Sequence, residues 1–233
     1  MTQPRTYKYY DFCMAAFVCI LLCANLIGPA KATTITLPLV GPVTFLAGVL
    51  FFPISYFFGD ILTEVYGYGR DRRVVWAGFA ALLFASVMAA TVVALPPAAH
   101  WADKQSAVET VFGSTPRIIA GSISAFWCGS FVNSFVLAKM KILTRGRWLW
   151  TRTVGSTMCG EAVDSTIFYA IAFYGTIDNA DLVTLATTQY VLKVLWEALS
   201  TPLTYWIVHK LKTLENEDYF DHSTNFTPFT LKA

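Results

Sequence analysis

Long apolar blocks separated by short polar segments dominate this chain of 233 residues. A helix needs roughly 20 predominantly apolar residues to cross the hydrocarbon core of a bilayer. Six blocks meet that requirement, at residues 12–28, 43–62, 74–95, 118–137, 153–174 and 185–208. The pattern therefore predicts an all-α membrane protein, a bundle of six transmembrane helices in a single membrane domain over residues 1–233.

Small residues recur at a spacing of four in two of the predicted spans. Gly121, Ala125 and Gly129 share one face of the fourth span, and Ser156 and Gly160 share one face of the fifth. Such faces let helix backbones approach closely in lipid, where no hydrophobic force drives helices together. They indicate a packed bundle, and they leave open whether one of the faces also forms a homodimer.

Three segments outside the spans carry patterns of their own. The alternation of residues 34–37 between turn residues is typical of a hairpin or a re-entrant strand. The loop 96–117 places apolar residues at helical spacing, which predicts a helix on the outer surface that either anchors there or caps a binding site. The tail at 213–233 is acidic and polar, and is therefore predicted to be mobile.

The composition agrees with this hydrophobic pattern. Apolar residues make up 55% of the chain and charged residues 14%, against about 25% charged residues in soluble domains. The chain therefore has too few charges to coat a surface that faces water. No small-residue cleavage site follows the first apolar block, so that block is predicted to remain as a span and not to be removed as a signal peptide.

Basic residues are distributed unevenly between the two sides of the predicted bundle. With the amino terminus in the cytosol, 13 of the 17 lysines and arginines lie in cytosolic segments. These 13 residues are Arg5, Lys8, Arg70, Arg72, Arg73, Lys139, Lys141, Arg145, Arg147, Arg152, Lys210, Lys212 and Lys232. Because such a bias sets the orientation of a membrane protein, both termini are predicted to be cytosolic.

Ionisable residues within or at the edges of the predicted spans are the first candidates for function. They are Asp60, Glu64, Glu161, Asp164, Lys193 and Glu197. A charge near the bilayer centre costs roughly 2.5–3.5 kcal/mol, so a chain with no use for such residues is expected to lose them. Glu64 also fits an interfacial role beside nearby arginines, and Asp164 with Lys193 also fits a structural ion pair.

The balance of these six charges is informative, because five acids accompany one base. Protonated carboxyl groups, a water-filled cavity, or a cationic ligand would each resolve the excess of negative charge, and the sequence leaves the three open. Asn25, Trp127, Asn133 and Gln189 add polar and aromatic groups at membrane depth. Placed polar groups among aromatic rings suit a flat small molecule that forms hydrogen bonds.

Several kinds of chemistry lack their usual motifs in this sequence. It contains no phosphate-binding loop, no metal-ligand spacing and no nucleophile motif of a protease or esterase. The candidate site is therefore predicted to bind and not to catalyse, with no cofactor or metal and with no nucleic-acid partner.

Four segments of the chain carry motifs that belong together, and the motif in the second span is fairly specific. They are Phe51-Phe52-Pro53 with Asp60-Ile61-Leu62-Thr63-Glu64-Val65-Tyr66-Gly67, then Asn25, then Asp164-Ser165 with Phe168, and Lys193 with Thr201-Pro202. This set resembles the queuosine precursor transporters, also called the vitamin uptake transporter family. The resemblance covers residues 10–212 and leaves out the polar tail.

The resemblance implies a six-helix importer of 7-deazaguanines such as preQ0, preQ1 or queuine, in a bacterial inner membrane. These compounds are precursors of the modified tRNA base queuosine. It also implies a fold similar to the substrate-binding subunits of energy-coupling-factor vitamin importers, and substrate contacts at Asn25, Asp60, Asp164 and Lys193. Glu161 and Glu197 match no position of the family pattern, so their candidacy rests on membrane depth.

Two other functions stay open beside a self-sufficient importer whose partners are a 7-deazaguanine and the lipid bilayer. The chain also fits a substrate-binding subunit of an energy-coupling-factor vitamin importer, which would need a separate ATPase module as partner. It fits an intramembrane enzyme less well, because the acid cluster has no accompanying nucleophile or metal set.

Overall fold

The computed structural model describes residues 6–28, 31–38, 41–113 and 116–230, so Arg5 and Lys232 lie outside the described residues. The described chain is mostly helical. Its helices are α1 (Tyr10–Leu22), continued by a π-helical turn at Cys23–Ile27, α2 (Phe52–Tyr66), α3 (Tyr68–Ala94), α4 (Gln105–Phe112), α5 (Pro116–Leu143), α6 (Leu149–Phe173) and α7 (Asn179–Glu215). Short 3₁₀ turns precede α2 at Ala47–Leu50 and α4 at Ala99–Lys104.

Burial in this bundle is the inverse of burial in a soluble protein. Phe84 and Leu199 are 68% and 75% exposed, whereas Glu64 and Arg152 are 0% and 1% exposed. Three helical runs, Tyr10–Ile27, Tyr68–Ala94 and Ala99–Leu143, are long and apolar enough to cross a membrane by length and composition. Extended apolar surface around buried charge requires an apolar solvent, and the chain is a membrane protein.

A two-stranded antiparallel hairpin precedes α2. β1 (Ala32–Leu37) pairs with β2 (Gly41–Leu46), which confirms the strand pattern read from the sequence. The predicted span at 43–62 is wrong at its start, because its first residues belong to β2 and the helix begins only at Phe52. Pro53 lies in the first turn of α2, where its missing N–H costs no helical hydrogen bond, so it helps the helix to begin and does not break it.

The other predicted spans coincide with helices whose ends differ by a few residues. The largest difference is in α7, which extends over Asn179–Glu215 beyond both ends of the predicted 185–208. The loop 96–117 contains the short helix α4, as its apolar spacing predicts. Apolar content therefore places the helices well, but it underestimates the lengths of those that continue into polar segments.

Helices α5 and α6 cross closely and make the most extensive interhelical contact. A Cβ added at Gly129 would lie 2.8 Å from the Asp164 Cβ and 3.0 Å from the Gly160 carbonyl oxygen. A Cβ added at Gly160 would lie 2.8 Å from the Asn133 Cβ. These two glycines therefore allow the close approach that their spacing predicts, with Asp164 packed against Gly129 and Asn133 packed against Gly160.

The tail at 213–233, predicted to be mobile, is packed against α3 and α5 over the part that the structure describes. The Phe226 ring lies 5.0 Å from the Tyr68 ring, and the Trp76 indole N–H donates a 2.7 Å hydrogen bond to the Pro228 carbonyl. The prediction of mobility rested on the acidic and polar composition of the tail. The contacts come from aromatic rings, from backbone carbonyls and from the Asp218 carboxylate.

Candidate functional site

Four residues of α2 form a column along one face of the helix. Phe52, Tyr56, Asp60 and Glu64 recur at a spacing of four, which places them one above another. Side chains of α5, α6 and α7 meet this column at three levels. The levels are the lysine triad (Glu161, Asp164, Lys193), the carboxyl layer (Asp60, Asn133, Glu197) and the end network (Glu64, Lys141, Arg152, Lys212, Asp218).

In the lysine triad, one ammonium group joins two carboxylates. Lys193 Nζ lies 2.7 Å from Glu161 Oε2 and 2.9 Å from Asp164 Oδ1. Glu161 and Asp164 lie one turn apart on α6, and α7 brings Lys193 against both. All three side chains are buried, and the centroid of the Phe52 ring lies 4.8 Å from the ammonium nitrogen. The triad therefore combines a cationic donor, carboxylate acceptors and an aromatic face.

The carboxyl layer holds two acids without a base. Asp60 Oδ1 accepts a 2.8 Å hydrogen bond from Asn133 Nδ2. The other Asp60 oxygen, both Glu197 oxygens and the Asn133 side-chain oxygen are buried without a hydrogen-bond partner among the described residues. The Glu197 carboxylate lies near enough to Asp60 for the two negative charges to repel each other. This level is thus rich in acceptors and short of donors.

The end network closes the column at the level of Glu64. Arg152 holds the Glu64 carboxylate by two hydrogen bonds of 2.8 Å, and Lys212 lies 2.5 Å from the same group. Lys141 donates to the Glu64 backbone carbonyl at 2.6 Å and to the Asp218 carboxylate at 2.6 Å. Three cations therefore surround the Glu64 carboxylate, which is buried among them.

Asp218 connects the tail to the end network. Lys141 and Lys212 lie 2.6 and 2.8 Å from its carboxylate. Partial burial alone would raise the pKa of Asp218, but hydrogen bonds from these two ammonium groups lower the pKa below its ordinary value. The carboxylate therefore stays ionised at neutral pH, where it keeps the tail attached to the network.

The column is closed in this conformation. A cleft of about 10 Å³ beside the carboxyl layer is lined by Tyr56, Asp71, Asn133 and Ser134 among others, and it has room for about one water molecule. A second cleft, of about 40 Å³, lies between α1, α3, α4 and α5 and is lined by Asn25. Both are much smaller than a purine base, so a ligand of that size needs the helices to move apart.

Four residues predicted to bind substrate are not among the members of the triad or the carboxyl layer. The Asn25 amide donates to a backbone carbonyl of α1 at 2.9 Å. Trp127 belongs to an aromatic cluster that includes Phe229 of the tail, at 5.9 Å between ring centroids. Gln189 is half-buried on α7, one turn before the triad lysine, and Glu64 belongs to the end network. The structure brings Glu161 and Asp164 together with Lys193, and it brings Asn133 to Asp60.

The sequence did not reveal the partners that neutralise Glu64. Arg152, Lys141 and Lys212 look like cytosolic surface residues in the hydrophobic pattern, because each follows or precedes an apolar block. Arg152 pairs with a residue 88 positions away, and no local spacing marks that contact. Tyr56 was also missed, although continuing the spacing of four backwards from Asp60 along α2 would have found it.

The chemistry available in the column is that of reversible polar binding. Among the described residues, no three His, Cys, Asp or Glu side chains are grouped so that they could hold a metal ion. The lysine triad and the carboxyl layer instead offer carboxylate acceptors, the Lys193 ammonium donor and the Phe52 ring inside an apolar bundle. Such groups can hold a hydrogen-bonding ligand and release it when the helices separate.

Most of the chain, including the triad and the carboxyl layer, is similar to known transporters. Residues 46–207 match the family described as "Putative vitamin uptake transporter". A protein of Bacillus subtilis (strain 168) named "Probable queuosine precursor transporter" is 32% identical over 185 residues, which cover 79% of this chain and 78% of that protein. No solved structure matches the chain. The tail lies beyond the residues that match the family.

Proposed function

Because this chain belongs to the vitamin uptake transporter family, we propose that it imports 7-deazaguanine precursors of queuosine across a bacterial inner membrane. Membership of the family makes the chain a transporter and not an enzyme. The name of the Bacillus subtilis relative supports this substrate class. The observation that carries the proposal is the lysine triad, a buried set of charged donors and acceptors inside a membrane bundle.

In this proposal α1, α2, α3, α5, α6 and α7 cross the membrane as one multi-pass domain with both termini in the cytosol. The bias of the basic residues supports that orientation. Arg145 and Asn179 are exposed, at opposite ends of α6. In a protein without native cysteines, Arg145→Cys should resist impermeant thiol reagents in intact cells, and Asn179→Cys should react. The opposite labelling pattern would reverse the orientation.

The proposed substrate site consists of the lysine triad and the aromatic residues of α2 beside it. A guanine-like edge presents adjacent N–H donors, which the Glu161 and Asp164 carboxylates can accept. Lys193 can donate to the oxo group of the same ring, and Phe52 offers a face for stacking. Hydrogen bonds to charged groups contribute about 1.5–3 kcal/mol each. Contacts of this kind account for selective binding of a flat, polar base.

The two ion networks are suited to act as gates on either side of the carboxyl layer. Both are formed in the present conformation, and the column between them is closed. A ligand from the outside has to replace contacts within the triad, and a ligand leaving to the cytosol has to pass the end network. Breaking one network at a time would open the site to one side at a time, as alternating access requires.

A complementation experiment tests the proposed function. Cells that cannot make queuosine precursors and lack a native importer should regain queuosine in their tRNA from low external precursor when they express this chain. Failure of a correctly inserted protein to restore the modification would contradict the proposal. Restoration that depends on a co-purifying ATPase would instead favour the alternative function, a substrate-binding subunit of a vitamin importer.

A further inference from the structure

We infer that import is coupled to protons, and that Asp60 and Glu197 of the carboxyl layer hold the coupled proton between them. The inference rests on the proposed function, because it names what drives the same transporter. It separates two tasks within the column. The triad holds the ligand, and the carboxyl layer, at the next level, holds the proton.

Burial without partners is the first observation behind this inference. Asp60 is 0% exposed and Glu197 is 1% exposed. Three of their four carboxyl oxygens, and the side-chain oxygen of the adjacent Asn133, have no hydrogen-bond partner among the described residues. Buried polar groups are strongly unfavourable unless they are hydrogen-bonded, and buried charges unless they are paired. One proton on the pair removes one of the two charges and turns one of the unpartnered acceptors into a donor.

The surroundings of the pair supply no free cation. The ionisable groups around it are Tyr56 and Glu64 on α2, Asp71 on α3, Arg152, Glu161 and Asp164 on α6, and Lys193 on α7. Within the part of the chain that the structure describes, Lys193 is paired with the two α6 carboxylates and Arg152 with Glu64. The other groups are acids or a neutral phenol, so none of them offsets a second negative charge on the pair.

The cleft at the carboxyl layer is small and borders the layer through Asn133, the residue that donates to Asp60. The cleft that Asn133 lines has a volume of about 10 Å³ and also borders Tyr56 and Asp71. One water molecule fits in such a volume and could pass a proton between the carboxyl layer and Asp71 by hydrogen bonds. An organic cation needs far more room than this closed level offers.

The proposed step moves one proton and breaks no other bond. With the column open to the outside, the pair takes one proton from water, and the resulting carboxylic acid O–H donates to the carboxylate of the other residue. With the column open to the cytosol, that O–H bond breaks, its electrons remain on the carboxylate, and the proton returns to water. The change between these two states costs less free energy when the pair carries one charge instead of two. Entry of the substrate therefore accompanies entry of the proton.

The first experiment needs no substrate, and therefore tests the pair even if the substrate class is wrong. Infrared difference spectroscopy of the purified protein at neutral pH should show the absorption band of a protonated carboxyl group. The band should disappear in both Glu197→Gln and Asp60→Asn. The matched control Glu109→Gln changes an exposed glutamate of α4 and should keep the band. Absence of the band in the wild type, or its persistence in both variants of the pair, would overturn the inference.

The second experiment measures coupling in vesicles that contain the purified protein and 7-cyano-7-deazaguanine, an uncharged probe. With the membrane potential clamped at zero, about one pH unit, acid outside, should drive about tenfold accumulation, because one proton per substrate transfers the whole gradient. Wild type and Glu109→Gln should both reach this ratio. Glu197→Gln should exchange labelled for unlabelled probe but accumulate none, because an amide does not titrate.

The outcomes of the vesicle experiment distinguish the two proposals. Exchange of the probe by the wild type without any response to the pH gradient would overturn proton coupling and leave the proposed function intact. A response that survives in Glu197→Gln would overturn the assignment to this pair. A wild type that neither binds nor exchanges any 7-deazaguanine would contradict the proposed function, and the infrared experiment would then decide whether the pair holds a proton.

Discussion

Removing the charges of the lysine triad distinguishes a ligand site from a purely structural ion pair. Lys193→Met leaves Glu161 and Asp164 buried without their counter-ion, although the ammonium lies 2.7 and 2.9 Å from them in the wild type. Breaking a buried pair by removing one partner costs about 3–5 kcal/mol. We expect the upper part of that range here, because one lysine serves two carboxylates.

A neutral triad removes this penalty and still lacks the groups that would hold a ligand. The triple variant Glu161→Gln, Asp164→Asn, Lys193→Met leaves no charge unpaired, and replacing a complete buried ion pair is often neutral for stability. Each lost charge-assisted hydrogen bond to the ligand is worth about 1.5–3 kcal/mol, or roughly a ten- to hundredfold loss of affinity. The triple variant should therefore fold like the wild type and bind poorly.

Two measurements on detergent-purified protein separate these effects. Thermal unfolding reports stability, and equilibrium binding of a labelled 7-deazaguanine reports affinity. Lys210→Met, at an exposed position of the same helix α7, is the matched control and should change neither quantity. Near wild-type affinity in a well-folded triple variant would refute the triad as ligand site. Unchanged stability of Lys193→Met would refute the buried pairing itself.

Three further perturbations test the packing around the column, each by thermal unfolding. Gly160→Ala should destabilise the protein by about 1–3 kcal/mol, because its Cβ would lie 2.9 Å from an α5 carbonyl oxygen. Gly59→Ala should instead stabilise α2 by about 0.5–1 kcal/mol, because its Cβ would meet nothing within 4 Å. Equal effects would contradict the close helix crossing. Arg152→Met should cost about 3–5 kcal/mol, since it removes two 2.8 Å hydrogen bonds to a buried carboxylate. Deleting residues 217–233 should lower the unfolding temperature because it removes the aromatic and ionic contacts of the tail, and an unchanged temperature would show that the tail adds nothing.

The apolar pattern predicts much of the fold. In a membrane bundle, apolar side chains face both the lipid and the core, so each helix is apolar along most of its length. The block at 153–174 predicts α6 to within a few residues, and the small-residue spacing of Gly129 and Gly160 anticipates the crossing of α5 with α6. The pattern fails at 43–62, where apolar residues continue through a strand into a helix. Hydrophobicity alone does not distinguish those two conformations.

The tail shows a different limit of the same reasoning. Its acidic and polar composition predicts a mobile segment. Whether such a segment stays mobile depends on surfaces elsewhere in the chain. Phe226 packs against Tyr68 of α3 and Phe135 of α5, and the Trp76 indole N–H donates a hydrogen bond to the Pro228 carbonyl. These contacts depend on surfaces that the tail's own residues do not specify.

The sequence by itself determined that this is a membrane bundle and that a few acids and one lysine inside it are candidates for function, because a charge in an apolar stretch stands out by local contrast. Only the tertiary structure decided which charges pair. Glu64 is neutralised from other helices, Lys193 pairs with both Glu161 and Asp164, and the Glu197 carboxylate has no hydrogen-bond partner among the described residues. The physical reason is that pairing depends on the depth and rotation of one helix relative to another. Those quantities arise from packing across the bundle and leave no mark on the sequence of either helix.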